Sequence, residues 1–161
     1  MTTEEVIAQF PALFPLAVEW ATAQEQRILA EGVALTSDEL DDGKTVGVRD
    51  LTRVRLLPVT MIPRPDHPQL RPACDAINFL TVATRGLTIG YGIFIRQDCW
   101  RDRDLATHEL VHTAQYERFG GIEPFLQRYL AECLTVGYEN SPLEREAETM
   151  AEGLRRQRVR S

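Results

Sequence analysis

The residues with the clearest capacity for chemistry are the pentapeptide His-Glu-Leu-Val-His at positions 108–112. On an α-helix, residues i and i+4 lie on one face, so His108 and His112 would present two imidazoles side by side. Two imidazoles at this spacing fit two positions of a tetrahedral zinc ion. Glu109 would lie at the flank of the metal, where its carboxylate can take a proton from water. The pentapeptide therefore predicts a zinc site with a general base beside it.

The alternative is an amphipathic helix whose surface happens to carry two histidines. Two of the three histidines in the chain fall in this pentapeptide, and such a match is uncommon by chance in a chain of this length. The third, His67, lies in the proline-rich segment 63–76, where we expect a solvated surface residue. Cys99 is conceivable as a further ligand, but a small, partly buried cysteine is the simpler interpretation. A third ligand is therefore expected further along the chain.

A catalytic zinc site needs a third protein ligand and an open position for water. The helix predicted to begin at Ser141-Pro142 carries Glu144 and Glu148 one turn apart, hence on one face. One carboxylate could bind the metal, and the other could accept a hydrogen bond from the far nitrogen of a ligand histidine. Ser141 and Glu144 also form a capping-box pattern, in which the glutamate bonds back to the serine N–H. The residues alone leave both roles of Glu144 open.

The remaining pattern predicts the elements that must position these residues. Three helices are expected in the second half, over 102–119, from 123 to Gly137, and over 141–156. The first half is expected to hold a helix over 16–31, a short helix after a capping box at 36–39, a strand over 53–57, a loop over 63–76 and a strand over 77–82. The best strand pattern spans 87–95. Strands before helices, without βαβ alternation, predict an α+β domain.

Length and charge narrow the class of protein. A chain of 161 residues is most simply one domain, with an N-terminal part over 1–80, a metal-site part over 87–156 and a frayed tail over 157–161. The net charge of −6 argues against a general affinity for nucleic acid or anionic membrane. We interpret the basic run at 155–160 as a solvated tail.

Cysteine usage and the N-terminus bear on location. The three cysteines form no C-x-x-C pair and no disulfide framework, which suits a reducing cytoplasm. Glu4 and Glu5 stand where a signal peptide would carry lysines, and Pro11 and Pro15 interrupt the apolar stretch over 10–20. We therefore expect a cytoplasmic protein without a secretion signal or membrane span.

Beyond these patterns, His108-Glu109-x-x-His112 followed by Glu144-x-x-Ala147-Glu148 resembles the gluzincin metallopeptidases. More closely, segments 87–95, 108–116 and 140–147 are similar to a bacterial gluzincin-like family of unknown function that is often met beside contractile injection systems. The similarity covers about residues 87–150 and leaves the first 80 unmatched. It implies a compact zincin-like domain, in which a small sheet with an edge strand near the site accompanies the His-Glu helix and a C-terminal glutamate helix.

The resemblance also implies a role for each site residue. By it, His108, His112 and Glu144 would be zinc ligands, Glu109 the general base, and Glu148 the carboxylate that accepts a hydrogen bond from a ligand histidine. The chain departs from the family pattern in carrying glutamate at 148, where aspartate is usual. The longer side chain of glutamate would place this carboxylate differently from that of the usual aspartate.

The leading hypothesis is zinc-dependent hydrolysis of a peptide or protein substrate, with Glu109 as the base. Tyr138, just before the Glu144 helix, is the first candidate to donate a hydrogen bond to the oxyanion. Tyr91, on the predicted strand 87–95, is the second, and that strand could bind an extended substrate along its edge. Either tyrosine could instead be a packing residue. The rival hypotheses are a zinc-stabilised binding or scaffold module without turnover, and an inactive remnant without metal.

Overall fold

The computed structural model describes residues 1–161 and shows the expected α+β class, with six helices around a three-stranded sheet. The helices are α1 Thr3–Glu31, α2 Ser37–Thr45, α3 Leu70–Ala76, α4 Arg103–Phe119, α5 Ile122–Val136 and α6 Pro142–Arg160. The strands are β1 Arg55–Val59, β2 Gly86–Ile89 and β3 Gly92–Arg96. Short 3₁₀ turns precede β1, α4 and α6, the last of them at Tyr138–Asn140.

The sheet has the order β1-β3-β2, with β1 parallel and β2 antiparallel to the central strand β3. Helices cover both faces of the sheet, so consecutive side chains of β3, which point to opposite faces, are buried. Ile93 and Ile95 pack in the same cluster as Leu110 of α4, whereas Phe94 packs with Ile28 of α1. The sheet therefore anchors α4 to the body of the domain.

The strand predicted over 87–95 is in fact a hairpin. Gly90 and Tyr91 form the turn between β2 and β3, and Gly90 has the positive φ of 60° that glycine tolerates without strain. Because β3 lies in the middle of the sheet, β2 is the strand of this hairpin that lies at a sheet edge. The predicted edge strand thus reduces to the four residues of β2.

The helix that carries the histidines lies where the sequence predicts it. Asp102 caps α4 by accepting a hydrogen bond from the N–H of Leu105 at 3.1 Å, and Gly120, at φ 97°, ends it. α6 begins at Pro142 and continues to Arg160, so the predicted frayed tail over 157–161 is largely helical. Arg158 explains the extra turn, since its guanidinium pairs with Asp104 of α4 and with Asp42.

The N-terminal helix is longer than the sequence predicts. α1 begins at Thr3 rather than near residue 16, because Thr2 and Glu5 form a complete capping box. Pro11 and Pro15 lie on its exposed side. Packing on the opposite side stabilises the helix through both prolines, by way of the buried residues Val6, Leu13, Ala21 and Ile28. By length and composition alone α1 could cross a membrane, a property that core helices of soluble proteins share.

Two further predictions for the first half were wrong. Residues 77–82 are not a strand, since Asn78 and Leu80 have positive φ values of 53° and 59°, outside the extended region. Part of the predicted loop forms α3, whose Pro72 lies in the first turn, where a missing N–H breaks no helical hydrogen bond. Together, α1, α3 and residues 77–85 build one wall of the cleft described next.

Candidate metal centre

A single large cleft, about 1230 Å³ in volume, contains most of the predicted site residues. Its lining includes His108, Glu109 and His112 from α4, and Glu144 and Glu148 from α6. Tyr138 and all four residues of β2 also line it. The cleft thus joins the histidine helix, the glutamate helix and the edge of the sheet.

Three side chains converge at one point of this cleft. The Nε2 atom of His108 lies 3.2 Å from Oε1 of Glu144, and Nε2 of His112 lies 2.8 Å from Oε2 of the same carboxylate. One ligand atom from each residue falls within 4.8 Å of the other two. His108, His112 and Glu144 could therefore hold a metal ion.

The electrostatics of this group favour a positive charge between its members. Burial would raise the pKa of Glu144, but hydrogen bonds from His108 and His112 outweigh it and hold that pKa well below its usual range. Burial would lower the pKa of His112, but the hydrogen bond and charge of Glu144 raise it to about 9. A charged carboxylate facing two imidazoles attracts a cation, whether a proton or a metal ion.

The structure excludes the capping-box role that the residues alone leave open for Glu144. Ser141 caps α6 weakly, its Oγ accepting from the N–H of Glu144 at 3.4 Å, but the side chain of Glu144 does not return to Ser141. The buried carboxylate of Glu132 on α5 accepts instead from the Ser141 hydroxyl at 2.7 Å and the Leu143 N–H at 3.1 Å. Because the Ser141 N–H donates to the carbonyl of Tyr138 at 3.2 Å, the carboxylate of Glu144 is free to face the histidines.

The carboxylate of Glu109 packs against β2. Its Oε2 accepts a hydrogen bond from the hydroxyl of Thr88 at 2.6 Å, and only 5% of the residue is exposed. A Cβ atom at Gly86 would lie 2.7 Å from Oε1 of Glu109, so the absence of a side chain there makes room for the carboxylate. Gly86 and Thr88 are two residues apart and hence on one face of the strand. This face holds the carboxylate of Glu109 at the wall of the cleft.

The free edge of β2 runs along the same cleft. The N–H of Arg96 donates to the carbonyl of Arg85 at 2.7 Å, and bonded pairs alternate along an antiparallel ladder, so the backbone groups of Gly86 and Thr88 face away from β3. The Thr88 carbonyl accepts from the hydroxyl of Tyr116 at 3.1 Å. The Thr88 N–H and both backbone groups of Gly86 are not part of the β2–β3 ladder.

Two tyrosines lie near Glu144. The buried hydroxyl of Tyr129 donates to Oε2 of Glu144 at 3.1 Å, a contact that the sequence analysis missed. Tyr138, the predicted oxyanion donor, lines the cleft and is 42% exposed. Desolvation of its hydroxyl and the charge of Glu144 raise the pKa of Tyr138 above its usual range, so the phenol keeps its proton. Tyr138 thus brings a protonated phenol to the lining of the cleft.

Glu148 does not form the contact expected of it. It is exposed at the cleft wall and makes no hydrogen bond with either histidine. The far nitrogen of His112, Nδ1, contacts Oε1 of Gln115 at 2.8 Å. Gln115 lies one turn along α4, and only its spacing from His112 could have indicated it beforehand.

The other candidates lie outside the cleft. The Tyr91 hydroxyl donates to Glu117 at 2.9 Å and the guanidinium of Arg53 stacks on its ring at 4.1 Å, because the hairpin turn directs the ring away from the site. A role for Tyr91 in binding substrate therefore has no support in the structure. His67 and Cys99 are likewise absent from the cleft wall and from the metal-ligand group.

The geometry of the centre is thus defined by two histidines and one glutamate, with the carboxylate of Glu109 on the wall of the same cleft. Comparison of the chain with protein-family models, with curated proteins and with solved structures finds no match.

Proposed function

We propose that this protein is a zinc-dependent peptidase of the gluzincin type. The observation that carries the proposal is the convergence of His108, His112 and Glu144 in a cleft that Glu109 also lines. Two histidines with one glutamate are a donor set of catalytic zinc sites, in which a fourth position stays open for water. Ligand atoms about 2.0–2.1 Å from a tetrahedral zinc ion lie roughly 3.3 Å apart. The three side chains offer ligand atoms that all lie within 4.8 Å of one another, so small side-chain shifts would bring them to that spacing.

The residues around the ligands suit peptide hydrolysis. When bound, zinc supplies the Lewis acidity that makes water a nucleophile near neutral pH. Glu109 takes the proton from the attacking water and passes it to the leaving amine. Thr88 holds the carboxylate in place for both transfers, through its hydrogen bond to Oε2. Tyr138 donates its phenolic hydrogen to the oxyanion that forms on the substrate carbonyl.

The free edge of β2 suits an extended substrate. A peptide that adds to a sheet edge bonds through its backbone, which orients the chain without reading its side chains. The Gly86 backbone and the Thr88 N–H supply such an edge, next to the carboxylate of Glu109. We therefore place the scissile bond between the edge of β2 and the histidines.

The test is cleavage of a diverse peptide library by the zinc-loaded protein, with the products identified by mass spectrometry. We expect a defined set of cleavage sites that disappears when zinc is removed with a chelator and returns when zinc is restored. A protein that binds zinc but leaves the library intact would overturn the peptidase proposal and favour a zinc-stabilised scaffold.

Gly86→Ala is expected to lower turnover more than stability. The new methyl group would lie 2.7 Å from Oε1 of Glu109, and the flexible end of that side chain would move rather than the backbone. Displacing a catalytic group by about 1 Å can cost roughly 100-fold in rate, so we expect kcat to fall about 10- to 100-fold with zinc content unchanged. Initial-rate kinetics on a peptide that the wild-type protein cleaves measures kcat, and a thermal melt measures stability.

Gly153→Ala is the matched control, since a Cβ atom at this position on α6 meets nothing within 4 Å. It is expected to keep kcat and to raise stability by about 0.5–1 kcal/mol, the usual gain for a helix interior. Equal kcat in Gly86→Ala and Gly153→Ala would contradict the proposal that Gly86 makes room for the catalytic carboxylate of Glu109.

A further inference from the structure

Gln115 is a fully buried polar side chain next to the metal-ligand group. Its Oε1 lies 2.8 Å from Nδ1 of His112, and its Nε2 lies 2.9 Å from the carbonyl oxygen of Leu143 and 3.0 Å from Oε1 of Glu146. None of its surface is exposed to solvent. A buried amide with every contact made by protein atoms has a defined orientation.

The contacts determine which atoms donate. A carbonyl oxygen and a carboxylate oxygen only accept, so the Gln115 nitrogen must face Leu143 and Glu146 with its two hydrogens. Its oxygen then faces His112 and can only accept. The hydrogen of that contact must therefore sit on Nδ1 of His112.

A metal-bound imidazole is neutral and carries one hydrogen, so with that hydrogen on Nδ1 the lone pair of Nε2 in His112 is available to the metal. Nε2 faces Oε2 of Glu144 at 2.8 Å, an arrangement that is attractive only with a cation, a proton or a metal ion, between the two atoms. The second contact of Gln115 is to Leu143, the residue before Glu144. One amide thus touches both helices that carry ligands.

We propose that Gln115 is a positioning residue, which holds His112 in the Nδ1–H tautomer with Nε2 directed at the metal and ties α4 to the start of α6. The inference rests on the proposed zinc centre and deepens it. Glu146 supports this arrangement, since it accepts from Gln115 and is held in turn by Arg118 at 3.1 Å. The same carboxylate therefore orients the amide that orients the ligand.

The test compares Gln115→Met, which keeps the length of the side chain without its hydrogen bonds, with Thr113→Val as the matched control. Thr113 is equally buried on α4 and its hydroxyl has no hydrogen-bond partner. Loss of such an outer partner weakens metal binding about 10- to 100-fold, so we expect that loss in zinc affinity for Gln115→Met and none for Thr113→Val. Competition with a chromophoric chelator measures the affinities.

A reciprocal pair of variants separates positioning from mere packing. Gln115→Glu alone sets two carboxylates against each other, whereas Gln115→Glu with Glu146→Gln restores an acceptor for Nδ1 and a donor toward residue 115. The double variant leaves the carbonyl of Leu143 without its donor and is therefore expected to regain part of the zinc affinity that Gln115→Met loses. It also keeps the test open if Gln115→Met does not fold.

Nitrogen-15 NMR of the zinc-loaded protein reads the tautomer directly. For wild type we expect the hydrogen of His112 on Nδ1 and zinc on Nε2. Wild-type affinity in Gln115→Met or no recovery in the double variant would overturn the inference while leaving the zinc centre standing. A hydrogen on Nε2 of His112 would overturn the inference together with the assignment of Nε2 as a zinc ligand. A wild-type protein that binds no zinc would overturn both.

Discussion

His112→Ala is expected to abolish zinc binding at neutral pH. The substitution removes one of the three proposed ligands, and the two that remain cannot complete the donor set of a catalytic site. Removing an outer partner of a ligand costs about 10- to 100-fold in affinity, so losing the ligand itself should cost on the order of a thousandfold or more. Zinc content after exhaustive dialysis, measured by plasma mass spectrometry, should fall from about one ion per chain to background.

His67→Ala is the control for this variant. It removes the one histidine that lies outside the cleft, on an exposed loop, and so should leave about one zinc per chain. Equal zinc content in His112→Ala and His67→Ala would show that the ion is not held by the proposed group. Loss of zinc in both variants would point to an unspecific effect of removing histidine.

Glu109→Gln is expected to abolish turnover while zinc stays bound. The amide has the same shape, and its oxygen can still accept a hydrogen bond from the hydroxyl of Thr88, so the side chain keeps its position against β2. The amide cannot take a proton from water, however, and a general base contributes about 10²- to 10⁴-fold in rate. We expect kcat to fall by that factor, with zinc content and KM close to wild type.

Glu123→Gln removes the same charge from the exposed first turn of α5, outside the cleft, and should keep wild-type kcat. The comparison is made on a peptide that the wild-type protein cleaves. A Glu109→Gln protein with unaltered kcat would exclude Glu109 as the base, even if zinc were bound as proposed.

Local patterns in the sequence predict the histidine helix well. Asp102 and Gly120 are cap residues whose effect depends on their immediate neighbours, and the i, i+4 spacing of His108 and His112 places both rings on one side of α4. The α+β class follows from element types in the same way. These features need no knowledge of the tertiary structure.

The role of Glu144 depends on a residue distant in sequence. Ser141 and Glu144 satisfy a capping pattern, and only the position of Glu132 on α5 shows that another carboxylate serves the start of α6. Gln115 and Thr88 were missed for the same reason, because their partners lie on other elements. A tertiary contact outweighed the local pattern in each case.

The errors in the first half have a different origin. The strand-like pattern over 87–95, with glycines at 90 and 92, does not distinguish one strand with a bulge from a tight hairpin, and the pairing of β2 with β3 shows the turn at Gly90 and Tyr91. Pro11 and Pro15 favour a helix break locally, yet α1 buries enough apolar surface on its inner side to continue through them. Packing overrides propensity at both sites.

The most direct measurement of the central claim is an anomalous diffraction map, recorded at the zinc edge from crystals of protein purified without added metal. The account predicts one peak in the cleft, about 2.0–2.2 Å from Nε2 of His108, Nε2 of His112 and an oxygen of Glu144. A map without a peak there, or with zinc held only elsewhere on the chain, would contradict it.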